Sequence, residues 1–172
     1  KVETNKVERK FLNLKFIKSF KKKNKLNIMF MSNITWKKNF FYLVKILKTL
    51  DFKVNLNIYG SSYINENLFH VYMEDIKNIH DVKYFESYKY EDISKIISDN
   101  HLLFLPTIDE NFGHVIVETL LHSRPCLISN NTPWNDIELH GAGFSSPLET
   151  PVTFKNYINL LYKMDAREFN EI

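Results

Sequence analysis

Short apolar runs alternate with segments of helical period along most of this chain, and no other feature restricts its fold as much. Leu26–Ser32, Val54–Tyr59, Val82–Phe85, Leu102–Leu105 and Cys126–Ser129 read as short strands, the first a near-continuous apolar run. Between the first two, Phe40–Leu50 sets Phe40, Leu43, Val44, Leu47 and Leu50 on one helical face. Phe154–Met164 does the same with Phe154, Tyr157, Ile158 and Leu161, and Glu66–Ile79, Tyr90–Asp99 and Val115–His122 complete the predicted helices. Strands separated by helical crossovers pair in parallel, so the expected fold class is α/β, a parallel sheet with helices on both faces. Such sheets take ligands in the crevice beyond the carboxyl ends of their strands. Chemistry is therefore expected in the loops after Ser32, Tyr59, Leu105 and Ser129.

The 172 residues suffice for one such domain. A domain of that size buries roughly 70% of the surface its unfolded chain exposes, so it needs no disulfide or structural metal. The single cysteine, Cys126, rules out an internal disulfide and fits a reducing, cytoplasmic setting. The balance of 23 Lys+Arg against 20 Asp+Glu leaves +3, too little to mark a nucleic-acid-binding surface. No apolar run approaches the ~20 residues of a membrane span.

Residues 1–25 lack a sustained period and carry Lys15, Lys18, Lys21, Lys22, Lys23 and Lys25. They read as a lead-in or interdomain linker, with residues 26–172 as the domain proper. Phe11, Leu14, Ile17 and Phe20 give the basic stretch a second reading, peripheral contact with the inner face of a membrane. The chain opens on Lys1 rather than Met, and we expect a segment of a longer protein. All five prolines and three of the four glycines fall after residue 105 and before residue 152, which places the elaborate loops in the second half.

The loop after Leu105 is the richest. It runs Pro106-Thr107-Ile108-Asp109-Glu110-Asn111-Phe112-Gly113-His114 and then enters a helix containing Glu118. A glycine before a helix lets backbone N–H groups approach a ligand, and the helix N-terminus adds partial positive charge: a phosphate seat. Acids beside such a seat are unwelcome unless their partners are hydroxyls. Glu110 and Glu118 therefore suggest a ribose and a sugar next to a diphosphate.

Glu110 and Glu118, separated by seven residues around Phe112-Gly113, resemble the acidic signature of the GT-B glycosyltransferases of family 4. Ser123-Arg124-Pro125-Cys126-Leu127-Ile128-Ser129 and Thr132-Pro133-Trp134 resemble the continuation of that signature. Upstream, Phe30-Met31-Ser32-Asn33 and Lys37-Lys38-Asn39 resemble the family's first strand and phosphate loop. The likeness runs in order from about Leu26 to the end. It implies a Rossmann-like domain, the C-terminal, donor-binding half of a GT-B fold. The N-terminal domain that receives a glycan or lipid-linked acceptor would be absent, leaving half an enzyme.

By that resemblance Glu118 accepts hydrogen bonds from the ribose, and Glu110 contacts the transferred sugar. Gly113 and His114 offer backbone N–H groups to the diphosphate and sugar. Lys38 neutralises the leaving diphosphate, and Phe112, Asn33 and Thr132 join the donor-binding set. No metal or other cofactor is expected, the donor being a nucleoside diphosphate sugar. Transfer would retain configuration through an oxocarbenium-like transition state, the leaving phosphate taking the acceptor's proton. Bacterial capsule or lipopolysaccharide synthesis would be the typical setting. The alternative is a non-catalytic nucleotide-sugar-binding or scaffold module of the same fold.

Two positions depart from the family pattern. Asn33 stands where an Arg is usual, five residues before Lys38, and lacks the forked permanent charge that grips phosphate. Glu86 replaces a glycine after the third strand, which puts the backbone around Ser87 and Tyr88 in question. Plainer readings stand beside the functional ones. Glu118 can be an exposed helix charge, Glu110 a dipole-complementing carboxylate, Lys38 a solvated lysine and Gly113 a turn residue. Asn39 can cap the following helix, Trp134 can plug the domain edge, and Cys126 belongs in the core.

His114, Glu118 and His122 recur every four residues, a spacing that puts metal ligands near one helical face. The drift of about 40° per step and the lack of a fourth ligand argue against a metal. His70, His80, His101 and His140 show no ligand spacing and read as surface or loop residues. There is no Gly-Lys-Ser/Thr phosphate loop and no Gly-x-Ser-x-Gly elbow. Gly141-Ala142-Gly143 reads as a turn before a short strand at Phe144.

Overall fold

A computed structural model describes Ser19 and residues 21–171. Most of the basic lead-in, with Phe11, Leu14, Lys15, Ile17, Lys18 and Phe20, lies outside the described residues, and so does its membrane reading.

Six strands form one parallel sheet: β1 (Asn27–Met31), β2 (Asn55–Tyr59), β3 (Asp81–Phe85), β4 (Leu102–Leu105), β5 (Cys126–Ser129) and β6 (Gly143–Ser146). Their spatial order is β3-β2-β1-β4-β5-β6, with every neighbouring pair parallel. The helices are α1 (Phe40–Leu47), α2 (Glu66–Lys77), α3 (Ile93–Asp99), α4 (His114–Leu121), α5 (Pro151–Lys163) and α6 (Ala166–Phe169). From β1 the chain winds outward through β2 and β3, then returns to β4 and winds the other way. The loops after β1 and β4 consequently diverge, and a crevice opens between them.

The core is built where both sheet faces are covered. Ile28, Met29, Phe30 and Met31 of β1 are buried, as are all four residues of β4 and of β5. Phe30 meets Phe40 of α1 edge-on at 5.2 Å, and Phe104 of β4 stacks on Phe154 of α5 at 5.8 Å. Continuous apolar runs are the mark of strands covered on both faces, and β4 and β5 lie where such runs predict them.

Several boundaries differ from expectation. α1 stops at Leu47 because the next turn tightens, Thr49 and Leu50 donating three residues back to Ile46 and Leu47. The stretch expected as one helix at Tyr90–Asp99 begins with a 3-10 turn at Tyr90–Asp92. α5 starts at Pro151, whose missing N–H costs nothing in a first turn. The brief α6 had no apolar period to reveal it and is closed by a capping box between Asp165 and Glu168. Gly143 lies within β6 rather than in a turn, at φ 138°, where an added Cβ would fall 2.1 Å from the Cys126 carbonyl oxygen.

His80 and His101 lie in loops, one of the two places expected for them, but away from the surface. His80 is buried, its Nδ1 accepting the Val54 N–H at 3.4 Å and its Nε2 donating to the Leu47 carbonyl at 2.9 Å. His101 is largely buried too, its Nδ1 accepting the Asn27 N–H at 2.9 Å. His70 and His140 are exposed. Asn39 stands before α1 but does not cap it with its side chain, since its backbone is left-handed at φ 53°. Cys126 is buried, and burial pushes its thiol pKa up.

Candidate functional site

The crevice at the carboxyl ends of the strands is an open cleft of about 620 Å³. Of the eight predicted site residues, Asn33, Lys38, Glu110, Gly113, His114 and Glu118 line it. Phe112 and Thr132 stand behind its wall. The Phe112 ring packs between His114 at 4.7 Å and Trp134 at 5.9 Å. Thr132 is buried, its hydroxyl oxygen accepting the Trp134 N–H at 3.1 Å.

The loop after β1 is held from both sides. Ser32 donates to the Tyr59 carbonyl and Ile34 to that of Ser61, so the β1–β2 pairing continues past the strand ends. Gly60 makes this approach possible: at φ 132°, an added Cβ would lie 2.3 Å from the Ser32 oxygen. On the other side, the Lys37 carbonyl accepts the Ile108 N–H at 2.7 Å. The Thr107 hydroxyl lies 2.9 Å from that same oxygen and 2.9 Å from the Asp109 carbonyl oxygen, to which its proton is directed in common. Lys37 also pairs with Asp109 at 2.9 Å across exposed surface. Ser129 of β5 donates to the Thr107 carbonyl at 2.5 Å, and Glu110 N–H to the Asn131 carbonyl at 3.2 Å.

Lys38 and Glu110 form an ion pair inside the cleft, their side chains only 24% and 12% exposed. Lys38 is thus not a solvated lysine, and Glu110 is more than a carboxylate beside a helix. Removal from water makes such a pair depend on its partners far more than a surface pair does.

Gly113 caps α4 with φ 75°, a left-handed conformation that suits glycine. Among the described residues no acceptor meets the N–H groups of Gly113, His114 or Val115, so three donors are left at the start of this helix. One turn on, Glu118 is half-buried; burial raises its pKa, and the His114 and His122 rings oppose that rise. Burial also raises the Tyr88 hydroxyl, with the Glu118 charge adding to the effect.

His122 does not join His114 and Glu118 as a ligand. Its Nδ1 donates to the Glu118 carbonyl at 2.7 Å and its Nε2 accepts from the Ser94 hydroxyl at 2.6 Å. Among the described residues no group of three or more His, Cys, Asp or Glu is placed to hold a metal ion. No described helix is long and apolar enough to cross a membrane.

One wall escaped the sequence reading. Glu86, Ser87, Tyr88 and Tyr90, in the loop after β3, line the cleft, whereas the expected loop after Ser129 supports it from behind. Two signals point to it: the loop follows the carboxyl end of a strand, and Glu86 stands where the family pattern has a glycine. The Ser61 hydroxyl donates to the Glu86 carbonyl at 3.1 Å, tying the loop to the one after β2.

A lysine, three open N–H groups and the carboxylates of Glu86, Glu110 and Glu118 around one cleft suit a ligand carrying both phosphate and hydroxyl groups. The family model described as Glycosyl transferases group 1 matches residues 13–171. An uncharacterized 41.2 kDa protein of the cps region of Klebsiella pneumoniae is 29% identical over 109 residues, 63% of this chain and 28% of that one. The Anabaena Alr3699/HepE structure, in complex with UDP and glucose, superposes with TM-score 0.65 at 19% identity. That match covers 86% of this chain and 43% of the Anabaena one. The C-terminal domain of the glycosyl transferase group 1 family protein LpcC from Francisella tularensis superposes with TM-score 0.67 at 12% identity, covering 85% of this chain and 83% of that domain. The chain therefore spans less than half the length of the Klebsiella and Anabaena proteins.

Proposed function

Because this chain belongs to the glycosyl transferases group 1 family, we propose that its cleft binds the nucleoside diphosphate sugar donor of a retaining glycosyltransferase. The whole enzyme would transfer the sugar to a glycan or lipid-linked acceptor in surface polysaccharide synthesis, the acceptor being received by a separate N-terminal domain. The observation that carries this reading is the convergence of Lys38, Glu110, Glu118 and the open start of α4 on one cleft. The UDP and glucose held by the Anabaena structure and the cps-region setting of the Klebsiella relative support it.

Each group has a physical task in this reading. The N–H groups at the start of α4 and the Lys38 ammonium face the diphosphate, whose negative charge grows as the glycosidic bond breaks. Fixed donors stabilise that charge without reorganising at the moment of reaction. The ion pair sets Glu110 beside Lys38, and so sets the carboxylate that binds sugar hydroxyls next to the cation that binds phosphate. Glu118, a turn further along α4, accepts from the ribose. Asn33 lines the cleft where the family usually has Arg, leaving Lys38 as the one Lys or Arg among the described residues of the lining.

Titration calorimetry of the protein with UDP, GDP and ADP tests the reading, with Glu118→Gln as the variant. Loss of a charge-assisted bond to the ribose should weaken the preferred nucleotide roughly tenfold to a hundredfold. The sign for stability is opposite. A carboxylate whose pKa is raised in the fold costs stability above that pKa, so removing its charge stabilises the protein at neutral pH. Undiminished nucleotide binding by the variant would sink the role given to Glu118.

Asn33 favours a second reading, a binding or scaffold module without turnover. A transfer assay on the full-length protein, set against its Glu110→Ala variant, separates the two. Activity that the variant loses supports the enzyme, and inactivity of both supports the module.

A further inference from the structure

We propose that Trp134 is a positioning residue for the donor site, acting through the peptide unit between Phe112 and Gly113; the proposal rests on the donor-site reading above. The Trp134 indole Nε1–H donates to the Phe112 carbonyl oxygen at 2.5 Å. In a trans peptide the C=O and the following N–H point in opposite directions. Holding the Phe112 oxygen against the indole therefore turns the Gly113 N–H the other way. Gly113 lines the cleft, and no described acceptor takes that N–H. The backbone here has little intrinsic preference to fix the peptide, since Gly113 is left-handed at φ 75° and glycine rotates freely.

Trp134 is itself fastened. Its backbone N–H donates to the buried Thr132 hydroxyl oxygen at 3.1 Å, and its ring meets the Phe112 ring nearly edge-on at 5.9 Å. The loop carrying it accepts the Glu110 N–H through the Asn131 carbonyl at 3.2 Å. The segment after β5 thus grips the loop after β4 at both Glu110 and Phe112 while contributing no residue to the cleft lining. The indole acts on the ligand through the backbone of another residue and touches no ligand itself. A phenylalanine would keep most of the ring packing but could not donate.

The test compares the protein with Trp134→Phe, using whichever of UDP, GDP or ADP binds tightest and its matching nucleoside as probes. The variant should bind the diphosphate about fivefold to tenfold more weakly. Nucleoside affinity should stay within about twofold, a split that loss of packing alone would not produce. Phe112-Gly113 is the one Phe-Gly step in the 172 residues, so carbonyl-labelled Phe with nitrogen-labelled Gly yields a single correlation for this peptide. In the unaltered protein the Gly113 amide signal should move on nucleotide addition, and Trp134→Phe should shift the Phe112 carbonyl signal in the free protein. Equal diphosphate affinity in the two proteins would overturn the positioning role while leaving the donor site standing. A Gly113 signal unmoved at saturating nucleotide would overturn it without any variant. If the unaltered protein binds none of the three nucleotides, the donor-site reading fails and this proposal fails with it.

Discussion

His101 stands between α3 and β4, where its backbone N–H donates to the Asn27 carbonyl and its Nδ1 accepts the Asn27 N–H, both at 2.9 Å. Protonation of Nδ1 would turn that acceptor into a second donor facing a donor. Burial first, then the Lys21 and Arg124 charges, lowers the imidazole pKa from 6.5 to about 4. For a base with a depressed folded pKa, the unfolded chain takes up the proton first. The stability is therefore whole above pH ~6.5 and is lost as pH falls towards ~4. At pH 5 the site is almost fully protonated in the unfolded chain and about one-tenth protonated in the folded one, which removes about 2 kcal/mol relative to pH 8. Urea unfolding at pH 8, 6 and 5 measures this directly, with His101→Asn as the reference. The Asn carboxamide oxygen stands in for Nδ1 as acceptor but does not titrate. The buried His80, also lowered, and the raised Glu118 are common to both proteins and cancel in the difference. The variant should lose about 2 kcal/mol less than the wild type between pH 8 and pH 5. Parallel pH dependences would refute the reasoning.

Lys38→Ala should weaken nucleoside diphosphates about tenfold or more and nucleosides little, by calorimetry, because the lost ammonium serves only the phosphates. Equal losses for both ligands would show that Lys38 works through Glu110 and the fold instead. Gly60→Ala should cost at least about 2 kcal/mol in denaturant unfolding, since it forces a side chain into a disfavoured backbone conformation and against the Ser32 carbonyl. An unchanged midpoint would mean that the loops after β1 and β2 can separate freely.

The sheet was legible because its evidence is local. Leu102–Leu105 is apolar throughout and Cys126–Ser129 is apolar up to its last residue, as central strands of a covered sheet are expected to be. The carboxylates were legible from their spacing around Phe112-Gly113, which places them on a loop and on the helix it enters. What escaped notice depends on partners distant in sequence. Lys37 meets Asp109 and Lys38 meets Glu110, each pair 72 positions apart, and nothing local to either segment announces the match. His80 and His101 carry no period, and the backbone N–H that each ring accepts, from Val54 and from Asn27, comes from a segment distant in sequence. Apolar spacing puts the start of α5 at Phe154, whereas the helix begins one turn earlier at Pro151.

The bonds around the Lys37 carbonyl divide the cleft into two unlike walls. Thr107 and Ile108 both grasp that oxygen, so the loops after β1 and β4 behave as one stiff body. A substitution in either strains the other. Among the described residues the wall formed after β3 is tied less closely: Glu86, Ser87 and Tyr90 are exposed, the Tyr88 ring meets only the Tyr59 ring edge-on at 6.2 Å, and Ser61 donates to the Glu86 backbone oxygen. Side chains there can be exchanged with little cost to the fold. Chemistry common to all substrates of such a cleft belongs on the stiff wall, and selectivity among them has room to drift on the loose one.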